Sequence, residues 1–459
     1  MRTQENKEKT NTLRGNVCRL VDDSLNVEVQ GSIERRSGEV FPKVKFAISG
    51  DEVSRTVILS DGRHLKMTLK IPLFVDSAMD ADALYDLAWL MSKNMPSQKS
   101  LKGEFRIIDL FCGCGGLTLG VREAAFALGH GFRSVFASDI NKNALDLYVR
   151  NFNPDIADDL PIEKHIEGDL GKGMTDNERK FVEKVGHIDM LVAGPPCQGN
   201  SDLNNYTRRN DPKNLLYLRA VRCVEILSPY SVIIENVPGV LHEKHSVLQT
   251  AIAHLSGLGY SVSYGIIPMK SIGVAQNRKR MVLIASKCGT VDIDKIIEAA
   301  MVKERSLSWA CSDLLDAYDA SDVFNSSANH SEENKRRIHY LFTHDIHDLP
   351  NSERPDCHRL KPHGYVAVYG RMHWDIPSPT ITGGFGSCGQ GRFVHPLKER
   401  TLTPHEAARV QFFPDFFDFK GILRRELQQV IGNAVPAKAG FVVALPLFES
   451  ACLIGGGNT

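Results

Sequence analysis

The sequence lacks several features that would place it in a narrow class at once. Its 459 residues include ten cysteines but no CxxC pair, which argues against a disulfide framework and against a zinc knuckle. No HExxH motif is present either, so we expect no metal. Nowhere do about 18 apolar residues run together, and the polar N-terminus has no secretory signal. These absences predict a cytoplasmic protein that does not enter a membrane.

The chain also has no excess of charge of either sign. Lys and Arg together number 55, and so do Asp and Glu. A strongly basic balance would favour a nucleic-acid partner, but a neutral balance does not exclude one, because a single basic face is enough to bind phosphates. Net charge therefore leaves the partner open.

The pattern of apolar and polar residues changes near residue 104. Alternating runs such as FPKVKFAIS predict short strands between residues 17 and 73, and residues 80–94 have helical spacing with Asp80 as the cap. After the polar segment 95–104, short apolar strands alternate with helices up to about residue 285. Such alternation predicts an α/β fold with a doubly wound parallel sheet, and ligands then bind at the carboxyl ends of the strands.

The first strand end carries DLFCGCGGL, residues 109–117. A dinucleotide-binding GxGxxG motif is not completed, because Thr118 stands where the third glycine belongs, so a nicotinamide dehydrogenase is disfavoured. Asp139 and Asp169 are predicted at the ends of later strands, where a carboxylate can accept hydrogen bonds from ribose hydroxyls. The pattern predicts an adenosine site without a diphosphate.

Two further strand ends carry groups suited to covalent chemistry. GPPCQ places Cys197 after two prolines that stiffen the backbone, and VIIENVPG ends an apolar run with Glu235. A cysteine reacts as its thiolate, so an acid nearby is better suited to donating a proton to a substrate ring nitrogen. QNRKR would place Arg278 and Arg280 on one face of a strand, able to hold a carbonyl or an anion.

In combination and order, these motifs resemble those of the DNA (cytosine-5) methyltransferases, most closely the bacterial enzymes of restriction-modification systems. The resemblance covers about residues 104–450 and includes TPHEAARVQFFP at 403–414 and GNAVPAKAG at 432–440. It implies a Rossmann-like S-adenosylmethionine-dependent fold. It also implies methyl transfer to carbon 5 of a cytosine that is flipped out of duplex DNA, through a covalent adduct of Cys197.

The resemblance assigns residues to each role. For catalysis it implies Cys197 as nucleophile, Glu235 acting at ring nitrogen 3, and Arg280 with Arg278 holding the ring carbonyl or ordering the nucleophile loop. For S-adenosylmethionine it implies Phe111, Gly113, Gly115, Gly116, Asp139, Asp169, Pro195, Leu216, Asn433 and Val435. For DNA it suggests Gln198, Ser201, Arg359, Lys361, Arg371, Gly384, Gln390 and Arg392.

The resemblance also divides the chain. Residues 1–103 form an α+β extension that either contacts DNA, mediates dimerisation or supports the fold; 104–285 form the catalytic domain; 286–400 form a smaller, irregular target-recognition domain; and 401–459 return to the catalytic domain. A monomer is expected, with a cognate endonuclease encoded nearby. Two alternatives stay open: a transfer-RNA cytosine methyltransferase, and a catalytically silent DNA-binding relative.

Overall fold

The computed structural model describes residues 27–30, 42–73, 79–95, 102–196, 216–242, 247–360 and 367–455. Its strands are β1 (Val27–Gln30), β2 (Lys43–Ser49), β3 (Glu52–Ile58), β4 (His64–Lys70), β5 (Lys102–Leu110), β6 (His130–Ser138), β7 (Ile156–Asp158), β8 (Met190–Ala193), β9 (Ser231–Asn236), β10 (Ser261–Pro268) and β11 (Lys279–Ser286). Its α-helices are α1 (Ala81–Leu90), α2 (Gly116–Ala127), α3 (Lys142–Phe152), α4 (Asp176–Val185), α5 (Leu216–Leu227), α6 (Val247–Gly257), α7 (Ile293–Ala299), α8 (Leu307–Cys311), α9 (Glu332–Thr343), α10 (Asp356–Arg359), α11 (Pro404–Val410), α12 (Arg424–Asn433) and α13 (Ala437–Gly455).

The central sheet has seven strands in the order β10-β11-β9-β8-β5-β6-β7. The strands from β9 to β7 pair in parallel, as the alternation of strands and helices predicts. The strand β11 is antiparallel to both of its neighbours, β9 and β10, which that alternation did not predict. Only residues 269–278 join β10 to β11, and so short a connection suits a hairpin better than a helical crossover.

The middle of this sheet is buried on both faces. Every residue of β8 and β9 is buried, which explains why both strands read as continuous apolar runs. The helix α3 shows the opposite pattern, with one buried face and a polar one, and the Asn141 side chain caps it by accepting a hydrogen bond from Ala144 N at 3.3 Å. The sequence therefore predicted these elements from local signals alone.

The helices α2 and α13 cross at two glycines. A Cβ on Gly120 would overlap the carbonyl oxygen of Ala437, and a Cβ on Gly440 would overlap that of Leu117. The continuous segment 424–452 is long and apolar enough to cross a membrane, but 83% of its most apolar window is buried inside the protein. That burial identifies α13 as a core helix.

The N-terminal extension is an antiparallel sheet of four strands, β1-β4-β3-β2, packed on α1. Asp80 occupies the N-cap position of α1, yet its side chain does not cap the helix. The predicted capping bond is therefore wrong: the Asp80 carboxylate pairs with Lys303 Nζ at 2.8 Å instead. The sheet and α1 rest against α2 and α13.

The segment 286–400 contains more regular structure than its composition indicated. Its described residues, 286–360 and 367–400, form the four helices α7 to α10. A small hydrophobic core separate from the main ones includes Ile338, Leu341, Leu349, Val368, Tyr369, Cys388 and Val394. The segment after it begins with α11, whose first turn is closed by a capping box between Thr403 and Glu406.

Candidate active site

Four neighbouring strands end at one edge of the sheet and bring their following residues together. Phe111 follows β5, Asp139 follows β6, Gly194 follows β8, and Glu235 is the penultimate residue of β9. Gly194 N donates to Leu110 O at 3.1 Å. A Cβ on Gly194 would lie 3.5 Å from Phe111 O and 3.8 Å from Glu235 Oε2. Gly194 therefore lies between the predicted cofactor and catalytic groups.

The glycine loop between β5 and α2 is built from left-handed backbone. Phe111, Gly113 and Gly115 have φ values of 57°, 55° and 87°. Among the described residues, no atom lies within 4 Å of the position that a Cβ on Gly113 would take, whereas a Cβ on Gly115 would overlap the Phe152 ring. A Cβ on Gly116 would overlap the carbonyl oxygen of Val435. Only Gly113 therefore has the open side expected for a ligand, and the other two glycines are required by packing.

Asp139 holds this loop in place from β6. Its Oδ2 accepts a hydrogen bond from Gly113 N at 2.9 Å, and its Oδ1 accepts one from Asn141 N at 2.8 Å. Burial raises the pKa of Asp139, while these two main-chain donors lower it. Each carboxylate oxygen keeps a further lone pair, so Asp139 is able to accept from ribose hydroxyls as predicted.

A buried network beneath the loop was missed from the sequence. Asp109 Oδ2 accepts a short hydrogen bond from the Thr118 hydroxyl, and Tyr148 and Ser134 hydroxyl oxygens lie 3.0 Å apart beside it. Burial raises the pKa of Asp109 to about 8, and the Asp139 charge adds to the effect, although Thr118 opposes it. Thr118 stands in place of the third glycine of the dinucleotide motif, and its hydroxyl bonds to Asp109 instead. The signal available in the sequence was Asp109 at the start of DLFCGCGGL together with Thr118 in place of the third glycine.

Glu235 forms the second half of the site. It is opposite Val282 in the antiparallel pairing of β9 with β11, and its Oε1 is 2.7 Å from Arg280 Nε. Burial raises the pKa of Glu235, and Arg280 and Arg278 oppose the rise. A carboxyl group in this position stays protonated at higher pH than an exposed glutamic acid, which suits proton donation.

Arg278 does not share the position of Arg280. It precedes β11 and is buried, and its Nη1 donates to Ile381 O at 2.8 Å and to Gly432 O at 3.1 Å. These bonds join the segment 286–400 to α12 and favour a positioning role for Arg278. Its action on the ring carbonyl or on the nucleophile loop stays a prediction.

A buried amide pair beside Arg278 was also missed. Gln276 Nε2 donates to Gln411 Oε1 at 2.8 Å, and Ile381 N donates to Gln276 Oε1 at 2.8 Å. Gln411 Nε2 in turn donates to Ile431 O at 2.6 Å. The glutamine that opens QNRKR and the one within RVQFFP were the available signals, but only the fold shows that they meet.

Four predicted residues lie outside the described ranges: Cys197, Gln198, Ser201 and Lys361. The described chain reaches the nucleophile loop at Pro195, which is buried, and Pro196. Burial raises the pKa of the six buried cysteines among the described residues, namely Cys112, Cys114, Cys223, Cys288, Cys311 and Cys388. None of these six is a ready thiolate, so Cys197 stays the predicted nucleophile.

The remaining cofactor residues are placed unevenly. Leu216 begins α5 and is half-buried, Asn433 ends α12 and is exposed, and half-buried Val435 follows in the turn that touches Gly116. Asp169 is not at a strand end: it is exposed in the loop between β7 and α4, because β7 stops at Asp158. The predicted strand-end position of Asp169 is therefore wrong, and its role toward the adenine stays a prediction.

Several residues predicted to contact DNA interact with other residues of the protein. Arg371 Nε donates to Pro396 O at 2.8 Å, and Arg392 Nη1 donates to His347 O at 2.9 Å. These guanidinium groups support loops within residues 286–400, and their contact with phosphate or guanine stays a prediction. Exposed Arg359 pairs with Asp356, and a Cβ on Gly384 would overlap the side chain of exposed Gln390.

The loop fits an adenosyl cofactor and offers no metal site. Gly113 leaves room for a close approach, and Asp139 carries a carboxylate able to accept from ribose hydroxyls. Over the described residues, no group of three His, Cys, Asp or Glu side chains is arranged to hold a metal ion.

The family of the chain follows from its similarity to known proteins. The family model for C-5 cytosine-specific DNA methylases matches residues 105–449. The chain belongs to this family. The Type II methyltransferase M1.BsuMI of Bacillus subtilis strain 168 is 49% identical over 403 residues, covering 87% of this chain and 94% of the relative. M.HgiDII, a Type II methylase of Herpetosiphon aurantiacus, is 32% identical over 352 residues, covering 74% and 93%.

The solved structures agree on the fold. The Dnmt2 methyltransferase of S. pombe superposes with a TM-score of 0.53 at 17% identity, covering 75% of this chain and 98% of that one. The predicted methyltransferase fold, enzyme class and cofactor are thus confirmed. The enzyme transfers a methyl group from S-adenosylmethionine to carbon 5 of cytosine in DNA.

Proposed function

We propose that Cys197, Glu235 and Arg280 carry out this transfer, with Cys197 as the covalent nucleophile. The supporting observation is the ion pair of buried Glu235 with half-buried Arg280, since Glu235 lies beside the Gly194 backbone that leads into Pro195, Pro196 and Cys197. The strands β8 and β9 run in parallel, so the nucleophile loop and the acid leave the sheet at the same edge.

Carbon 5 of cytosine is too weak a nucleophile to react unaided. Addition of the Cys197 thiolate at carbon 6 forms the sulfur–carbon bond and moves the ring electrons toward nitrogen 3. Glu235 protonates nitrogen 3, which neutralises the charge created by the addition and leaves an enamine with a nucleophilic carbon 5. S-adenosylmethionine, when bound, supplies the methyl group to that carbon. Loss of the carbon 5 proton to solvent then restores the ring double bond and expels Cys197 as its thiolate, and nitrogen 3 returns its proton to Glu235.

Glu235 is suited to the proton step by its surroundings. Its buried carboxyl group has a raised pKa, and Arg280 is placed to stabilise the carboxylate that remains after proton transfer. Arg280 also keeps the acid in one orientation. A base within a duplex cannot reach this recessed pair, so the target cytosine must leave the helix, at a cost of a few kcal/mol.

The segment 286–400 is proposed as the target-recognition domain, with its own small core and the Gly-rich loop 379–393. We propose that the enzyme modifies one short duplex sequence as a cytoplasmic monomer and protects host DNA against a cognate endonuclease. Support for the last point comes from M1.BsuMI and M.HgiDII, both named as Type II enzymes. A monomer suffices because each strand of a site can be methylated separately.

The test is transfer of tritiated methyl from S-adenosylmethionine to duplex DNA, beside a transfer-RNA substrate, followed by base-resolution bisulfite sequencing. We expect label on DNA at one short motif, and loss of more than about 10⁴-fold of the rate in Cys197→Ser. The exposed Cys357→Ser is the matched control and should keep full activity.

Each contrary outcome has a distinct meaning. Label on RNA alone would favour the transfer-RNA alternative, and no label on either substrate would favour the silent relative. Full activity in Cys197→Ser would overturn the assignment of the nucleophile.

A further inference from the structure

The N-terminal extension places a buried acid against the catalytic domain. Asp86 on α1 is only 3% exposed, and its Oδ2 is 2.7 Å from Lys438 Nζ and 2.5 Å from Arg305 Nη1. Lys438 Nζ also donates to Asp86 Oδ1 at 2.8 Å. Arg305 is buried and Lys438 is half-buried, so Asp86 faces two cations that belong to other parts of the chain. Arg305 Nη2 also lies 3.1 Å from Asp82 Oδ2 on the same helix.

Electrostatics supports an ionised Asp86. Burial alone would raise the pKa of Asp86, but Lys438 and Arg305 outweigh it and hold that pKa below its usual value. The surroundings also fit Lys438 closely, since its ammonium lies 5.6 Å from the centre of the Phe412 ring and 5.8 Å from that of Phe441. Lys438 thus lines, together with Asp86, the pocket that the extension forms with α2 and α13.

Lys438 stands at the start of α13, directly after the turn that approaches the glycine loop. The Val435 carbonyl in this turn touches Gly116, and the Ala437 carbonyl touches Gly120 so closely that neither glycine can carry a side chain. A displacement of Lys438 would therefore move the turn against the first residues of α2. The helix α2 begins three residues after Gly113, the open position of the cofactor loop.

We infer that Asp86 is a positioning residue for the cofactor site, acting through Lys438 to hold the 433–437 turn against the glycine loop. The inference rests on the proposed cofactor role of Asn433, Val435 and the loop. It gives the N-terminal extension a definite role, because residues 79–95 then complete the scaffold of the S-adenosylmethionine site from behind, without touching the cofactor.

The experiment measures S-adenosylmethionine binding to the full chain by calorimetry, without DNA, together with steady-state methylation. Asp86→Asn keeps the size of the side chain and removes the charge. We expect its dissociation constant and its KM for S-adenosylmethionine to rise about three- to thirtyfold, with kcat at saturation within about twofold of wild type. Asp80→Asn, which breaks the exposed pair with Lys303 beside the same helix, should change neither value.

A second variant separates positioning from folding. Lys438→Gln leaves the Asp86–Arg305 pair intact, so it should weaken cofactor binding as Asp86→Asn does, and the double variant should be no weaker than the worse single one. Fully additive losses, or lower melting temperatures with unchanged cofactor affinity, would overturn the inference. If Asp86→Asn does not fold, Lys438→Gln decides alone. Absence of cofactor binding by the wild type would instead refute the proposed cofactor site.

Discussion

Polar side chains are held differently at the carboxyl edge of the central sheet and in the segment 286–400. At the sheet edge, strand pairing fixes the backbone, and each acid has specific partners. Asp139 accepts hydrogen bonds from two main-chain N–H groups, and Glu235 forms an ion pair with Arg280. In the recognition segment, arginines such as Arg371 and Arg392 donate to loop carbonyls. The chemistry is therefore built on a rigid frame, while these polar side chains of the recognition segment maintain its own shape.

The two regions also differ in charge state. Burial favours the protonated form of the sheet-edge acids and raises the pKa of Asp109 to about 8. In the recognition segment, burial favours neutral histidines and lowers the pKa of His395 to about 4. A raised acid pKa, which suits Glu235 to proton donation, is thus found at the sheet edge, whereas His395 is neutral at neutral pH.

The largest effect is expected at Glu235. Glu235→Gln should lower kcat/KM about 10²- to 10⁴-fold, because an amide cannot donate the proton that the addition step requires. The raised pKa sets the sign of the pH dependence: the acid form is lost as pH rises through it, so wild-type kcat/KM should fall toward high pH. The measurement is the pH profile of kcat/KM for both proteins.

The variant should lack the limb of the profile that belongs to Glu235. Glu304→Gln, which removes a partly exposed partner of Lys270, is the control and should keep the wild-type profile. A Glu235→Gln enzyme with the wild-type profile would show that another group titrates.

An intermediate effect is expected where α2 meets α13. Gly120→Ala should cost about 3 kcal/mol or more of the free energy of unfolding, because the new methyl group overlaps the Ala437 carbonyl in a rigid contact. Gly257→Ala is the matched control: this residue ends α6, and among the described residues nothing lies within 4 Å of its Cβ position. It should be neutral or stabilise the protein by up to about 1 kcal/mol. Urea unfolding of both variants checks the contrast, and equal stabilities would disprove it.

The smallest effect is expected in the recognition segment. Arg392→Ala should weaken DNA binding by less than about tenfold and leave its salt dependence unchanged, because the guanidinium donates to the His347 carbonyl within the protein. Binding isotherms at several salt concentrations measure this slope. A reduction by about one unit would instead support a phosphate contact at Arg392. Arg359→Ala, at an exposed position, tests the same slope where a DNA contact is still open.

Local signals in the sequence determined the elements and the order of the chemical groups. Apolar runs of a few residues predicted β5, β8 and β9, and the residues that follow or end them carried the glycine loop, the Pro-Pro-Cys segment and Glu235. Strand pairing alone then brings such groups to one edge, so the candidate site could be predicted in outline. Asp169 was misplaced because no apolar run of comparable strength precedes it, and the sheet ends earlier.

Only the tertiary structure decided which partner each group has. Arg278 and Arg280 are two residues apart in sequence, yet one holds the carbonyls of Ile381 and Gly432 and the other holds Glu235. Asp86 and Lys438 are 352 positions apart and meet in the interior. Periodicity and backbone preference act over a few residues, whereas burial, ion pairing and close packing depend on which distant segments share a space. The sequence therefore determined the reacting groups, and the fold determined how they are held.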